Sequence, residues 1–304
     1  MHATAVILPE QHFGDGDMIR QLLRAIVQHY PIRFGKGYIA NMLFNSKNLP
    51  DGIIVTTKEG IRVEIHPDWM YQWIYLYREY EPETTLVFKR IIKKEDVCFD
   101  IGANFGYYSC LFAKLGSHVH AFEPLHSNYR LNIKTIEMNG FQDKVDSVNV
   151  GMGASSGTFT VYTFAGLPIG QASATTLGRE DAVPHSCQIS TLDDYCKRKQ
   201  IENIDFMKVD IEGHELECFQ GGANLLKGCN APILHFEVNQ QCLKDRGRNA
   251  NEIVSLLTSY GYTRFYCITK SGLLQKVTQP IANSNADYIA YKAKDDKRMQ
   301  HLLH

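Results

Sequence analysis

The chain has 304 residues, 44% of them hydrophobic and 21% charged, which suits one large globular domain or one domain with an extension and excludes a disordered or fibrous polymer. A formal net charge of −1 gives no electrostatic reason to expect a nucleic-acid partner or an anionic membrane surface. The eight scattered cysteines, none in a C-x-x-C pair, and the lack of a ~20-residue apolar run argue against a disulfide frame, a zinc site and an integral membrane contact, and point to a cytoplasmic protein.

In chain order, residues 1–50 predict a helix over Met18–Tyr30, ended by Pro31, and a short one over Gly37–Phe44. Gly52–Thr57 and Ile61–Ile65 alternate around Lys58-Glu59-Gly60 and predict a hairpin. Trp69–Tyr80 carries six aromatic residues and reads as a helix that docks this extension on the main domain, or as a partial lid over a pocket. Glu81-Pro82 precedes a helix over Glu83–Ile92; Glu81 either faces the pocket or complements the helix N-terminus.

The next stretch, Asp96–Tyr107, organises the rest. Val97–Ile101 is a short apolar run fit for a buried parallel strand. Gly102-Ala103-Asn104-Phe105-Gly106 is a tight turn, and Tyr107 opens a helix stopped by Gly116. Together these form the first half of a nucleotide-binding unit. Asp100, just before the turn, would repel a pyrophosphate and suits a ligand with a positive end and no phosphate. S-adenosylmethionine, with its ammonium and sulfonium, fits that description. Asn104 takes the place of a middle glycine: it tolerates left-handed backbone and brings an amide that can meet a methionine carboxylate. The second strand, His118–Phe122, ends in Glu123-Pro124, about 20 residues after the turn, where an acid that grips ribose hydroxyls belongs. Asp100, Gly102, Ala103, Asn104, Gly106, Tyr107, Glu123, Pro124 and Glu81 are therefore the candidate cofactor residues.

A helix over His126–Met138 closes at Asn139-Gly140, and a third strand, Val145–Val150, places Asn149 and Gly151 as neighbours of an adenine ring. Thr158–Thr163 predicts an extra strand. Phe164–Ser190 lacks periodicity and reads as a long loop, either a surface insertion or a substrate-recognition loop. Thr191 caps a helix. Strands follow at Ile204–Ile211 and Ala231–Asn239, an amphipathic helix lies between them, and a helix over Asn251–Tyr260 leads to final strands at Thr263–Thr269 and Ala286–Lys292. The alternation predicts a doubly wound α/β sheet.

Ligands of such sheets bind beyond the carboxyl ends of the strands, and four strands here end in acids: Asp100, Glu123, Asp210 and Glu237. Lys208 shares a face with Asp210 and needs Asp210 or Glu237 as a partner if buried. Asp210, Glu212, His214 and Glu237 are the catalytic candidates, and Glu215 a further possible base. For His214, Glu212 and Glu215 the plainer reading is solvation or complementation at a helix start. A divalent cation held by Asp210, Glu237 and Asn239 is a less favoured reading.

Five blocks carry a family resemblance: Tyr80-Glu81-Pro82, the stretch from Phe99 to Ser109, Ala121-Phe122-Glu123-Pro124, Ser190-Thr191-Leu192-Asp193-Asp194, and the stretch from Ile204 to Glu215. In this order they resemble the FkbM-type branch of the class I S-adenosylmethionine-dependent methyltransferases. The resemblance implies a mostly parallel seven-stranded Rossmann-like sheet whose last strand is antiparallel. It also implies O-methylation of a hydroxyl on a sugar, glycan or secondary metabolite. Carried over by position, Asp100, Gly102, Asn104 and Glu123 would hold the cofactor, and Asp210 and Glu212 would stand at the mouth of the active site. The expected organisation is an N-terminal extension over 1–93, a methyltransferase domain over 94–294 and a polar tail over 295–304. The expected acceptor is a small molecule or glycan.

Overall fold

A computed structural model describes residues 49–303, apart from 165–171, 173–175, 177 and 278–284. The helices expected over Met18–Tyr30 and Gly37–Phe44 lie outside the described residues. The first elements are the predicted hairpin, β1 (Ile54–Thr56) and β2 (Arg62–Glu64), in antiparallel register with Val55 opposite Val63. Both valines are buried while Ile54 stays out, as period two demands. The aromatic stretch is shorter and more broken than a single helix over 69–80. A 3₁₀ turn at Trp69–Tyr71 leads into α1 (Gln72–Tyr77), and Arg78 in left-handed backbone ends it, its N–H bonded to the Ile74 carbonyl. α2 (Pro82–Ile91) starts with proline at its first position, where a missing N–H costs nothing.

β3 (Val97–Ile101), α3 (Tyr107–Lys114), β4 (His118–Phe122), α4 (His126–Asn139) and β5 (Val145–Val148) follow the predicted order. After β5 the chain leaves the main sheet. The third strand is thus shorter than expected, and Gly151–Met152 form β6 in a second, three-stranded sheet with β7 (Gly157–Phe164) and β8 (Ala182–Ser190). The expected loop over 164–190 therefore ends in a nine-residue strand. β8 is hard to read from sequence because Pro184 and the polar His185 interrupt the short alternation of Val183, Cys187 and Ile189.

α5 (Leu192–Lys199) is capped by Thr191, whose side chain accepts from the Asp194 N–H. β9 (Phe206–Val209) leads to two short helices, α6 (Glu215–Gln220) and α7 (Ala223–Lys227), where one had been expected. The break falls at Gly221-Gly222. A Cβ on Gly221 would lie 2.0 Å from the Gly153 carbonyl oxygen, so the backbone passes there too closely for any side chain. β10 (Ile233–Val238), α8 (Gln240–Asp245), α9 (Ala250–Ser259), β11 (Arg264–Ile268), β12 (Leu274–Lys276), β13 (Ala286–Tyr291) and α10 (Asp296–Met299) complete the chain. The last residues, expected as a polar tail, fold back: Met299 and Leu302 are fully buried, and Leu303 bridges to Leu274.

The main sheet runs β12-β11-β13-β10-β9-β3-β4-β5. β5, β4, β3, β9 and β10 are parallel, and β13 is antiparallel to β10. The sheet thus has the doubly wound, mostly parallel order expected, with eight strands where seven had been expected. The extra one, β12, is a three-residue edge strand paired with β11. From β3 the chain winds outward through β4 and β5, then returns to β9 and winds the other way. The switch point lies between β3 and β9, where such sheets open a crevice at their carboxyl ends. One apolar cluster joins the hairpin, α1 and α2 to α3 on one face of the sheet; a second fills the other face under α5–α9. No described helix is long and apolar enough to cross a membrane.

Candidate active site

The turn after β3 is set by backbone. Gly102, Asn104 and Gly106 all have positive φ, at 78°, 49° and 89°. A side chain on Gly102 is impossible in place: its Cβ would stand 1.9 Å from the carbonyl oxygen of Asp210, because β9 ends directly against the turn. Gly106 is a packing glycine pressed on Asn132 and does not line the cavity. Asn104 adopts the left-handed conformation its residue type tolerates. Glu123 ties the turn to β4, accepting from the N–H of Asn104 and of Leu125, both at 2.9 Å. Burial pushes its carboxyl up to about 7 against those hydrogen bonds.

Asp100 stands elsewhere than expected. It is fully buried beneath the turn, accepts from Ser109 Oγ at 2.6 Å, lies 3.6 Å from Lys208 Nζ, and is not in the cavity wall. Asn149 is also turned away: its amide donates to the carbonyls of Glu123 and Pro124 at 2.8 and 2.9 Å, bracing the segment that carries the acid. The other cofactor candidates, Gly102, Ala103, Asn104, Tyr107, Glu123, Pro124, Gly151 and Glu81, all line one cavity of about 760 Å³ at the carboxyl ends of the strands. That is within the range of sites for small organic ligands. Phe122, Met152, Phe159, Val161 and Ile189 give one part of it an apolar wall, while Met70 and Trp73 of the extension reach its rim.

The other part is acidic. Asp210, Glu212, His214 and Glu237 line it together. Lys208 is buried and does find a partner, but in Asp210 at 3.1 Å and Asp100 rather than in Glu237. Burial disfavours the ammonium, yet these two carboxylates raise its pKa above the ordinary value. Glu212, in left-handed backbone, accepts from Asn239 Nδ2 at 2.9 Å; burial and Asp210 push it up to about 7. His214 stands at the N-cap position of α6 without capping it through its side chain, lies edge-on to Phe159 and touches the guanidinium of Arg246. Burial, then that cation, drives its pKa down to about 3, so it is neutral and a weak base. Arg246 itself is paired with Glu217 at 2.8 Å. Glu215 points back to the N–H groups of Ile211 and Gly213, which makes it a helix-start brace. Among the described residues no side chain donates a hydrogen bond to Glu237; burial, with Asp210 and Glu212 nearby, raises its pKa strongly, and the carboxyl is held protonated at neutral pH.

Asp210, Glu237 and Asn239 line the cavity together. The Asn239 carboxamide oxygen is committed to capping α8 through the Cys242 N–H, and among the described residues no three His, Cys, Asp or Glu groups converge as metal ligands.

Sequence reasoning missed Asp287. It lies opposite Glu237 in the β10–β13 register and lines the same cavity. One carboxylate oxygen is 3.0 Å from Nε2 of the buried His235; the other accepts from Thr84 Oγ1 at 3.1 Å. Burial alone would raise its pKa, but His235 and Thr84 outweigh that and hold it below the ordinary carboxylate range. Its signal was an aspartate in an otherwise apolar strand, visible only once β13 is known to pair with β10. Glu81 has a second feature: φ is +40°, and its carboxylate accepts from Tyr108 Oη at 2.7 Å. The residue as a whole is exposed, but desolvation of its carboxyl against the protein, with Asp287 and Asp210 nearby, pushes it up to about 7. Three of the non-glycine residues in left-handed backbone, Glu81, Asn104 and Glu212, thus stand around one cavity, where strain tends to mark function.

Comparison with known proteins gives the same centre of gravity. The hexuronic acid methyltransferase AglP of Haloferax volcanii is 29% identical over 145 residues, which cover 47% of this chain and 56% of that protein. The chain therefore spans about half the length of this curated relative. Among solved structures, the precorrin-6y C5,15-methyltransferase of Geobacter metallireducens aligns at 14% identity over 71% of this chain and 89% of its own, with a TM-score of 0.41. An S-adenosylmethionine-dependent O-methyltransferase of Thermotoga maritima aligns at 13% identity over 80% of this chain and 78% of its own, with a TM-score of 0.40. A family model, the methyltransferase FkbM domain, matches residues 100–264, from the acid beneath the glycine turn through the strands that carry Asp210 and Glu237. By that match, which covers more than half of its length, the chain belongs to the FkbM family of methyltransferases.

Proposed function

We propose that the chain transfers a methyl group from S-adenosylmethionine to a hydroxyl oxygen of a sugar-type acceptor. The observation that carries this reading is the charge of the cavity. Among the described residues seven carboxyl side chains line it against one lysine, and that lysine is already engaged by Asp100 and Asp210. Such a wall repels a pyrophosphate or a polynucleotide and favours a ligand with positive charge and no phosphate. Gly102–Asn104 and Glu123 would hold its ribose and amino-acid parts, and Gly151 and Met152 a flat purine beside Ile189. The likeness to a protein named for hexuronic acid methylation supports a sugar as acceptor.

When bound, S-adenosylmethionine supplies a methyl carbon already activated by a sulfonium. What remains for the protein is alignment, exclusion of water and removal of one proton. Transfer would form the acceptor O–methyl bond as the methyl–sulfur bond breaks, with S-adenosylhomocysteine as leaving group, and the hydroxyl proton would pass to a base. Asp287, kept ionised and in place by His235 and Thr84, is the carboxylate positioned to take it, although those two partners make it a weaker base than a free aspartate. Glu237, protonated beside it, can donate a hydrogen bond to the same acceptor oxygen and orient its lone pair. Asp210 completes the mouth on the β9 side.

The test is titration calorimetry with S-adenosylhomocysteine and with reduced nicotinamides, followed by mass spectrometry for a gained methyl group on hexoses and hexuronic acids. Binding of the homocysteine alone and methylation of a hydroxyl are expected. Binding of a nicotinamide instead would sink the reading.

A further inference from the structure

Trp73 is 51% exposed, a costly placement for the largest apolar side chain, and among the described residues it is the only aromatic among the exposed large hydrophobics. It lies at the rim of the cavity, and its indole is not loose. The ring of Tyr77, one turn on, packs against it with centroids 4.8 Å apart and planes at 34°. One face of a supported indole is thus presented at the entrance to the site. The walls within carry Glu81, Asp210, Glu237 and Asp287. Lys208, the single lysine of the lining, is held between Asp100 and Asp210 and has no charge to spare for a bound anion.

These two features select among acceptors. A pyranose ring offers an apolar C–H face to an aromatic platform, and its hydroxyls donate to carboxylates. A hexuronate offers the same face but brings a carboxylate toward the ionised Asp287 and the Lys208-paired Asp210, where a like charge is costly. We infer that Trp73 is the platform of an acceptor subsite for an uncharged pyranose, which the acidic wall reads through its hydroxyls and from which it excludes hexuronates. This rests on the methyltransferase reading above and narrows its acceptor. It also separates this chain from the relative named for hexuronic acid methylation.

The chain contains only two tryptophans, Trp69 and Trp73, so intrinsic fluorescence can report on the platform. The protein is first saturated with S-adenosylhomocysteine, with saturation verified by calorimetry, and then titrated with glucose, glucuronate and choline. Wild type, Trp69→Phe and Trp73→Phe are compared. The expected result is a saturable change of emission with glucose in wild type and Trp69→Phe, lost in Trp73→Phe, with glucuronate at least tenfold weaker. Should Trp69→Phe fail to fold, the wild-type and Trp73→Phe pair still assigns the signal. Equal or tighter response to glucuronate overturns the charge selection. A response to choline but not to glucose overturns the pyranose and makes the platform a cation site. No response to any probe in homocysteine-saturated protein overturns the subsite while leaving the methyltransferase reading intact. Failure to bind S-adenosylhomocysteine removes that reading, and the inference with it.

Discussion

The two halves of the cavity are built by different means. The half at the ends of β3 and β4 is backbone held in place by backbone: a glycine pressed on a carbonyl, an asparagine in left-handed conformation, and an acid whose oxygens are taken by N–H groups. The half at the ends of β9, β10 and β13 is a set of side chains from distant parts of the chain, Glu81, Asp210, Glu237 and Asp287, tuned against each other by charge and burial. A backbone cradle tolerates few changes and gives the same shape in every copy of the motif. A side-chain wall can be rewritten one residue at a time without moving the strands. The first is suited to a cofactor that does not vary, the second to an acceptor that does.

Lys208 joins the halves, and its removal should have the largest effect. Lys208→Met leaves Asp100 and Asp210 facing each other without their shared cation, one of them fully buried. Breaking a buried pair in this way costs about 3–5 kcal/mol, which denaturant unfolding would read directly. Loss below about 1 kcal/mol would mean that the pair is solvated and the halves independent. Next comes Asp287→Asn. It keeps shape but removes the proton acceptor, so turnover should fall by about 10²-fold or more while affinity for S-adenosylhomocysteine stays at the wild-type value. An equal loss in both would place Asp287 in the cofactor half instead.

A smaller effect comes from pH. Glu81, Glu123 and Glu212 are raised from 4.5 to about 7, so the folded chain binds more protons than the unfolded chain between these values. Stability should therefore fall as pH rises from about 4.5 to 7. His214 acts in the opposite sense: lowered from 6.5 to about 3, it adds stability as pH rises through that range. Glu215 and Glu237 are raised as well, and His120 is lowered like His214; the carboxyls outnumber the imidazoles, and the melting temperature should be lower at pH 8 than at pH 5.5. A positively charged cofactor favours the ionised carboxyls, so S-adenosylmethionine should bind more tightly as pH rises from 6 to 8 and release protons on binding. S-adenosylhomocysteine, without the sulfonium charge, should show a weaker trend. Equal slopes for the two ligands would show that the acidic half does not sense the sulfonium.

The same contrast decides what could be read from sequence. The half at the ends of β3 and β4 comes from contiguous motifs, so the placing of Gly102, Asn104 and Glu123 around one turn was legible from spacing alone. Asp100 was legible as a residue but not in its place, because the sequence does not tell which face of β3 meets Lys208. The acceptor half depends on strand register. Asp287 becomes a site residue only when β13 pairs antiparallel with β10 and sets it against Glu237 and His235. The strand at Ala182–Ser190 was missed for another reason: Pro184 and His185 break its short apolar alternation. Local pattern carried the windings of the sheet, and pairing carried what was left.

The smallest effect separates backbone from side chain within the cofactor half itself. Asn104 holds φ at 49°, and its amide lies 3.4 Å from the sulfur of Met70, a weak partner. If the residue matters through its conformation, Asn104→Gly should bind S-adenosylhomocysteine nearly as well as wild type. Asn104→Ala, forced into left-handed backbone with a Cβ, should then lose about 1 kcal/mol of stability and a matching share of affinity. If the amide instead meets the carboxylate of the ligand, both variants should weaken binding alike, and Asn104→Gly should do so with its melting temperature unchanged. The two variants differ only in whether the turn can relax, so the comparison of their affinities assigns the asparagine to the backbone cradle or to the ligand.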